Sequence, residues 1–344
     1  MTGHDMTDYS DLTPINIVTG FLGSGKTTLL QRLLRSPSLS DAAVLVNEFG
    51  EVGLDHHLLK GVTESALLLE NGCVCCTVRG DLQKALRDLL SQRTRGEVPH
   101  FRRVVIETSG LADPAPIAYT LSSEPVLRHH FRLSGIITTV DAVNGATLRD
   151  FPEAIKQVAM ADRLVVTKVD LADTSALAVL RSQLRALNHS AHIIDTTEIG
   201  DDLHSLLTDD IYDAEGKFRE TSRWIAEEAQ YGHAHAAGVE SFAVIFDRPL
   251  DWTAFGVWAS MLLHRHGTDV LRLKGLLNVT GVPTPVLVNG VQHIVHPPSH
   301  LERWPDADRR SRLVFVVRGL RRARIERSLC VFNDLVNSPV ALSA

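Results

Sequence analysis

The sequence predicts an α/β protein in which a domain with a mostly parallel sheet is followed by a smaller α+β domain. Three observations predict it. From Ile15 to about Asp195, short β-branched runs alternate with longer helical patterns, the signature of strands joined by crossover helices. A Gly-rich loop ending in Lys-Thr lies between the first strand and the first helix. From Ser241 a new pattern of strands and two helices begins, as a small α+β sandwich requires.

Taken in order, "INIVT", "AVLVN", "ALLLE", "RVVIET", "GIITTV" and "RLVVT" are the strands of the first domain. Between them "KTTLLQRLLRS" and "DLQKALRDLLSQR" place Leu at three- and four-residue spacing, which gives each helix one apolar face to lay on the sheet. The stretch from Thr196 to Gly238 turns polar and reads as a helix-and-loop connector. "SFAVIF" then predicts a strand, "WTAFGVWASMLLHRHG" a helix, and "DVLRLKGLLNV", "PVLVNGVQHIVHP" and "RLVFVVRG" further strands, closed by a helix from about Arg321 to Val336. The expected boundaries are a disordered leader at 1–12, the α/β domain at 13–200, the connector at 201–239 and the C-terminal domain at 240–337.

The 344 residues are 44% apolar, enough for two cores, and the formal charge is −6. An acidic balance gives no footprint for nucleic acid or an anionic membrane. The N-terminus "MTGHDMTDYSDLTP" lacks the basic and apolar regions of a secretion signal, and no apolar run approaches the roughly 18 to 20 residues that cross a bilayer. Only four cysteines are present and three are adjacent or nearly so, which rules out a distributed disulfide framework and suits a reducing cytosol. A cytoplasmic protein is expected.

"GFLGSGKT", Gly20 to Thr27, matches the phosphate-binding loop pattern G-x-x-x-x-G-K-[ST], with a strand before it and a helix after it. Glycines let backbone N–H groups turn toward phosphate oxygens, Lys26 reaches the β and γ phosphates, and the Thr27 hydroxyl ligates Mg²⁺. The helix N-terminus adds its dipole to the anion site. A P-loop NTPase domain is therefore expected. After the apolar run "RLVV" come Thr167, Lys168, Val169 and Asp170. A carboxylate accepts from both N1–H and the exocyclic amine of guanine, and a lysine stem stacks on the ring. GTP is the expected nucleotide, with Thr167 standing where GTPases usually have Asn.

Two acidic segments follow apolar strands. Glu107 in "VVIETSGLADP" is placed to hold Mg²⁺ directly or through water, and Gly110 offers a backbone N–H to the γ-phosphate. "VNEFGEVGLD", Val46 to Asp55, has the composition of a switch loop, and Glu48 is the candidate for orienting the attacking water. Lys26, Glu48 and Glu107 are the expected catalytic groups.

"ENGCVCCTVRGDL" clusters Cys73, Cys75 and Cys76 on a turn opened by Asn71-Gly72. Three thiolates at this spacing converge on a soft or borderline cation such as Zn²⁺, and three protein ligands leave an exchangeable position. A redox pair and buried structural cysteines are the alternatives, the former disfavoured by the adjacency of Cys75 and Cys76. Cys330 reads as core packing. Because the cluster lies between the switch segment and Glu107, nucleotide and metal are expected to be coupled. His233 and His235 in "YGHAHAAG" form an H-x-H pair that reads either as a transient metal site or as an ordinary loop. The basic run "RGLRRARIER" reads as the exposed face of the last helix.

With "GFLGSGKTTLL", "NEFGEVGLD", "ENGCVCCTVRGDL", "ETSGLADP" and "TKVDL" in this order, the chain resembles the CobW family of P-loop GTPases, relatives of the urease and hydrogenase accessory GTPases. "LRLKGLLNV" and "RLVFVVRGL" look like the family's C-terminal domain. The resemblance implies a GTP-hydrolysing metallochaperone that binds Zn²⁺, or in some members Co²⁺, and delivers it to a client metalloenzyme. It implies that Gly20, Gly23, Ser24, Gly25, Lys26, Thr27 and Thr28 bind phosphates and Mg²⁺, that Cys73, Cys75 and Cys76 hold the cargo, that Glu107 serves the Mg²⁺ region, and that Lys168 and Asp170 bind guanine. It also allows a nucleotide-dependent homodimer. A metal-sensing regulatory GTPase without cargo transfer and a P-loop kinase with a structural metal are the competing functions.

Overall fold

The computed structural model describes residues 11–36, 39, 41–46, 67–70, 79–199, 206–207, 214–231 and 233–337. The chain divides into two compact units, Met1–Ser182 with Ala191–Gly216, and Gln183–Ser190 with Lys217–Ala344.

In the first unit, seven strands form one sheet in which every pairing is parallel. They are β1 (Thr13–Gly20), β2 (Ala42–Val46), β3 (Leu67–Glu70), β4 (Arg103–Glu107), β5 (Phe131–Asp141), β6 (Arg163–Thr167) and β7 (His192–Asp195), in the order β3-β2-β4-β1-β5-β6-β7. β1 is central, and the chain leaves it first to one side and later to the other. That reversal makes a crevice beyond the C-terminal strand ends, where open parallel sheets bind ligands. Register aligns those ends: Val18 faces Glu107, Gly20 faces Thr139, and Asp141 faces Thr167.

Helix α1 (Lys26–Arg35) shows how the sequence builds this layer. Its Leu29, Leu30, Leu33 and Leu34 repeat at helical spacing and are all buried, packed on Val18, Val44, Val105, Ile137 and Val165. Burying four leucines contributes on the order of 6–12 kcal/mol before chain entropy is subtracted. The other helices between these strands are α2 (Arg79–Arg95), α3 (Ala115–Ser123) and α4 (Pro152–Met160), followed by α5 (Thr174–Leu187).

The second unit holds an antiparallel sheet of β8 (His233–Ala236), β9 (Val239–Phe246), β10 (Val270–Leu277), β11 (Val286–Val291), β12 (Ile294–Val295), β13 (Ser299–His300) and β14 (Ser311–Arg318). Their order is β12-β11-β10-β14-β9-β8, with β13 paired to β11. Every residue of β10 is buried, because both faces of the sheet are covered. Helices α7 (Trp252–His266) and α8 (Arg322–Asn337) contribute Phe255, Trp258, Ile325 and Leu329 to the core with Phe242, Leu273 and Phe315. Helix α6 (Ala214–Tyr231) packs Trp224 and Ile225 with Ala243, Leu276 and Val314. The structure thus has more strands here than the sequence pattern suggests. It also turns part of the expected connector into α6 and β8, with His233 and His235 in the backbone ladder opposite Phe242 and Glu240. "HAHA" has no β-branched residue; its extended form comes from pairing with β9. Among the described residues, no helix is long and apolar enough to cross a membrane.

Candidate functional site

The loop from Gly20 to Gly25 joins the end of β1 to α1 and takes its shape from neighbouring strands. Gly20 has φ of 143°, and a Cβ there would lie 2.3 Å from Thr139 Oγ1, so no other residue fits without displacing β5. Ser24 Oγ and Thr139 Oγ1 share a hydrogen bond of 2.6 Å, and Thr139 Oγ1 donates to the Thr19 carbonyl. The Lys26 ammonium donates to the carbonyls of Gly20 and Phe21 at 2.9 and 3.2 Å, which holds it across the loop mouth. Gly25 precedes α1 without a capping side chain, and the first turn carries no carboxylate. A helix start built this way suits an anion, which supplies the acceptor and meets the positive end of the dipole. Gly23 and the exposed Thr28 lie on the same rim.

Thr27 Oγ1 donates to Glu107 Oε1 at 3.1 Å, and Glu107 is 4% exposed. A hydroxyl and a carboxylate in contact beside a phosphate loop make an all-oxygen donor set, which fits Mg²⁺. One residue beyond Glu107, Thr108 N donates to the Val18 carbonyl and its Oγ1 donates to Thr19 Oγ1. Gly110 then passes so close to Leu22 that a Cβ would meet the Leu22 nitrogen at 2.8 Å. The loop carrying Gly110 is held from α4: Gln157 Nε2 donates to the carbonyls of Gly110 and Ala112 at 3.1 and 2.9 Å. Lys156 pairs with Asp113.

On the other flank, Thr167 ends β6 and donates its hydroxyl to the Ser24 carbonyl at 2.8 Å. The hydroxyl thereby ties the segment Thr167 to Asp170 to the phosphate loop. Lys168 adopts a left-handed conformation, φ 55° and ψ 31°, uncommon for a residue with a side chain. Its ammonium donates to Asp141 Oδ2 at 2.7 Å. Asp170 is exposed and makes no hydrogen bond or ion pair among the described residues.

The structure thus brings together Gly20, Gly23, Ser24, Gly25, Lys26, Thr27, Thr28, Glu107, Gly110, Lys168 and Asp170 along the C-terminal edge of one sheet. Glu48, Cys73, Cys75 and Cys76 lie outside the described residues. Among the described residues, no three His, Cys, Asp or Glu side chains converge as metal ligands would. Sequence reasoning passed over Thr139, Asp141 and Gln157. Asp141 follows an apolar strand as Glu107 does, so the same signal was present; Gln157 and Thr139 carry none, since their partners lie 45 to 120 residues away.

Residues 14–195 match the CobW/HypB/UreG nucleotide-binding domain, and residues 239–332 match the cobalamin synthesis protein cobW C-terminal domain. A relative from Escherichia coli K12, the zinc chaperone YjiA, is 34% identical over 88% of this chain and 93% of its own length. The zinc chaperone CobW of Pseudomonas aeruginosa is 32% identical over 92% of this chain and 90% of its own. The zinc-regulated GTPase metalloprotein activator 1 of Schizosaccharomyces pombe is 38% identical over 62% of this chain and 52% of its own. Among solved structures, the Zn(II)-bound YjiA GTPase from E. coli superposes with a TM-score of 0.67 at 28% identity, covering 93% of this chain and 99% of that one.

Proposed function

The chain belongs to the CobW/HypB/UreG family, with a nucleotide-binding domain followed by a CobW C-terminal domain, and from that premise we propose that it is a GTP-hydrolysing metallochaperone. It binds Zn²⁺, or Co²⁺, through Cys73, Cys75 and Cys76 and delivers it to a client metalloenzyme in the cytosol. Relatives named zinc chaperones over nearly the whole chain support the cargo. The bond from Thr167 to the Ser24 carbonyl carries the nucleotide reading, because it fixes a base-reading segment to a phosphate loop.

In this reading the first-turn N–H groups of α1 and the loop backbone bind the phosphates, and Lys26 moves from the Gly20 and Phe21 carbonyls to the β and γ phosphates. Thr27 and Glu107 would hold Mg²⁺, which would supply positive charge beside the phosphate oxygens. The Gly110 N–H points to the γ-phosphate while Gln157 holds that loop by its carbonyls, and Glu48 orients the attacking water. Lys168 and Asp170 read guanine. Binding of the γ-phosphate is coupled to the hold of the three thiolates on the metal, and hydrolysis weakens that hold.

The test is Zn²⁺ affinity by chelator competition with Mg²⁺ and GTP, with Mg²⁺ and GDP, and without nucleotide, repeated with all three cysteines changed to Ser. A shift of about tenfold or more between GTP and GDP, or about 1.4 kcal/mol of coupling, is expected, and it disappears in the variant. Equal affinity in all three states would reduce the cysteines to a structural site. Transfer of the metal to an apo-enzyme on hydrolysis separates a chaperone from a sensor that keeps its ion.

A further inference from the structure

A lysine stem that stacks on a base must be held in one place, and the four-carbon stem of Lys168 has many rotamers. Its tip is fixed. The ammonium donates to Asp141 Oδ2 at 2.7 Å, with 36% of the Lys168 side chain exposed and 9% of the Asp141 side chain. Asp141 ends β5 and is the register partner of Thr167, so the ion pair stands directly beside the residue that ties this segment to the phosphate loop.

The carboxylate is itself immobilised by its own loop. Oδ1 accepts from the backbone N–H of Val143 at 2.9 Å and more weakly from that of Asn144 at 3.4 Å, and Oδ2 accepts from Asn144 Nδ2 at 2.7 Å. Burial alone pushes this carboxyl up, but the bonds from Lys168, Asn144 and Val143 outweigh it and hold the group below its ordinary value. The partner of Lys168 is therefore an anion throughout the neutral range. An isolated strand-end ion pair on a surface contributes little; this one is nearly buried on the acid side, has three further donors, and clamps a residue already in a left-handed backbone conformation.

We infer that Asp141 is a positioning residue for base recognition: with Asn144 it fixes the Lys168 ammonium so that the methylene stem is presented as a ready-made wall to guanine. Asp141 does not touch the nucleotide in this scheme. It acts by removing the freedom of the Lys168 side chain before the nucleotide arrives, so that binding loses less entropy. The inference rests on the GTPase reading above.

The test uses the full chain with fluorescent N-methylanthraniloyl GDP and ADP, and steady-state GTP hydrolysis. Asp141→Asn keeps the shape and the Oδ1 acceptor for the backbone N–H groups of Val143 and Asn144 but removes the charge. It is expected to weaken GDP binding about five- to tenfold, to leave the weak ADP binding unchanged, and to raise KM for GTP by the same factor while kcat moves less than twofold. Lys168→Met, which keeps the stem and removes the ammonium, is expected to lose as much as Asp141→Asn. The double variant is expected to bind GDP no more weakly than Lys168→Met alone. If Lys168→Met binds GDP like the unaltered protein, the tether is unnecessary and the inference fails, whether or not Asp141→Asn folds. An equal loss for GDP and ADP, or a loss in kcat alone, also overturns it, because Asp141 would then be shaping the loop rather than the base site. Lys168→Ala and Asp170→Asn serve as separate controls on the underlying reading. Should both keep the preference for GDP over ADP, the guanine assignment fails; should they abolish it while Asp141→Asn does nothing, only this inference fails.

Discussion

Among the buried polar side chains of the first unit, Ser24, Glu107, Thr139, Asp141 and Thr167 stand at the C-terminal ends of strands or in the loop that β1 feeds. In the second unit the buried charges Arg272 and Lys274 lie in the middle of β10, and Arg312 near the start of β14. Their partners differ as well. Lys274 donates to Glu220 Oε1 at 3.0 Å and to the Ser190 carbonyl, and Arg312 pairs with Asp306 and Asp308, all within the same unit. A charge in the middle of a covered strand has no route to a ligand, so its role is to hold elements together. A polar group at a strand end meets a loop and a crevice, and there it shapes a site. Position along the strand, rather than burial, separates the two uses.

The largest effect is expected where the role of holding elements together is broken. Lys274 and Glu220 are both nearly buried, with side chains 6% and 8% exposed, so Lys274→Met leaves the carboxylate in a poor environment and is expected to destabilise the second unit by about 3–5 kcal/mol. Thermal unfolding followed by calorimetry measures this, and Lys274→Met combined with Glu220→Leu is expected to recover at least half of the loss. GDP affinity at low temperature, with the variant still folded, should stay within twofold of the unaltered protein. A large drop in affinity there would erase the contrast between the two units. Next in size is Lys26→Met. It removes the ammonium held over the loop mouth by two carbonyls, and about a hundredfold loss in kcat/KM for GTP is expected, roughly 2.7 kcal/mol, with little change in the unfolding temperature.

Much of this contrast is legible from the chain. The six apolar strand runs of the first domain, five of them with β-branched residues, and the loop from Gly20 to Thr27 announce themselves because their signals are local: apolar runs, helical spacing and a fixed glycine pattern. β7 and β8 do not, since "HIID" and "HAHA" are four residues each and owe their extended form to pairing with β6 and β9. Glu107 was found by its place after an apolar strand, and Asp141 could have been found the same way. What no local pattern conveys is that Thr167 reaches the Ser24 carbonyl across 143 residues of chain. Thr167 stands where GTPases usually have Asn, and its hydroxyl donates to the Ser24 carbonyl.

Thr167→Val tests this point with a smaller effect. It keeps the shape, deletes one hydroxyl, and leaves the buried Ser24 carbonyl short of a donor, for which about 1–2 kcal/mol is a reasonable scale. GDP affinity is expected to fall about five- to thirtyfold, and Thr167→Asn is expected to restore most of it if the amide can reach the same carbonyl. Because Thr167 is 5% exposed and also lies within hydrogen-bond range of the Val140 carbonyl, the unfolding temperature serves as the control. A fall in stability without a fall in affinity would make Thr167 a scaffold residue, which its strand-end position argues against.

The smallest effect is the pH dependence of a cluster in the second unit in which the part-exposed Asp308 and Arg310 meet the buried Arg312. Asp308 accepts from the Arg310 side chain and backbone N–H and pairs with Arg312 at 2.9 Å, and the Arg310 guanidinium first of all holds its carboxyl far below the ordinary 3.8. A depressed folded value means that the stabilisation is fully present above the ordinary carboxyl range and is lost as pH falls through the folded value. Nothing should therefore change between pH 8 and 5, and the loss should begin only below about pH 4. Arg310 is almost half exposed and Asp308 nearly a third, so solvent and salt screen the pair and keep the effect small. Asp308→Asn is expected to lower stability slightly at pH 7, to flatten the acid limb of denaturant-measured stability between pH 4 and 2, and to lose most of its effect in half-molar salt. A variant that instead changed stability between pH 8 and 6 would mean that a different group, with a raised value, governs this unit, and its charges would then be tuned for response rather than for support.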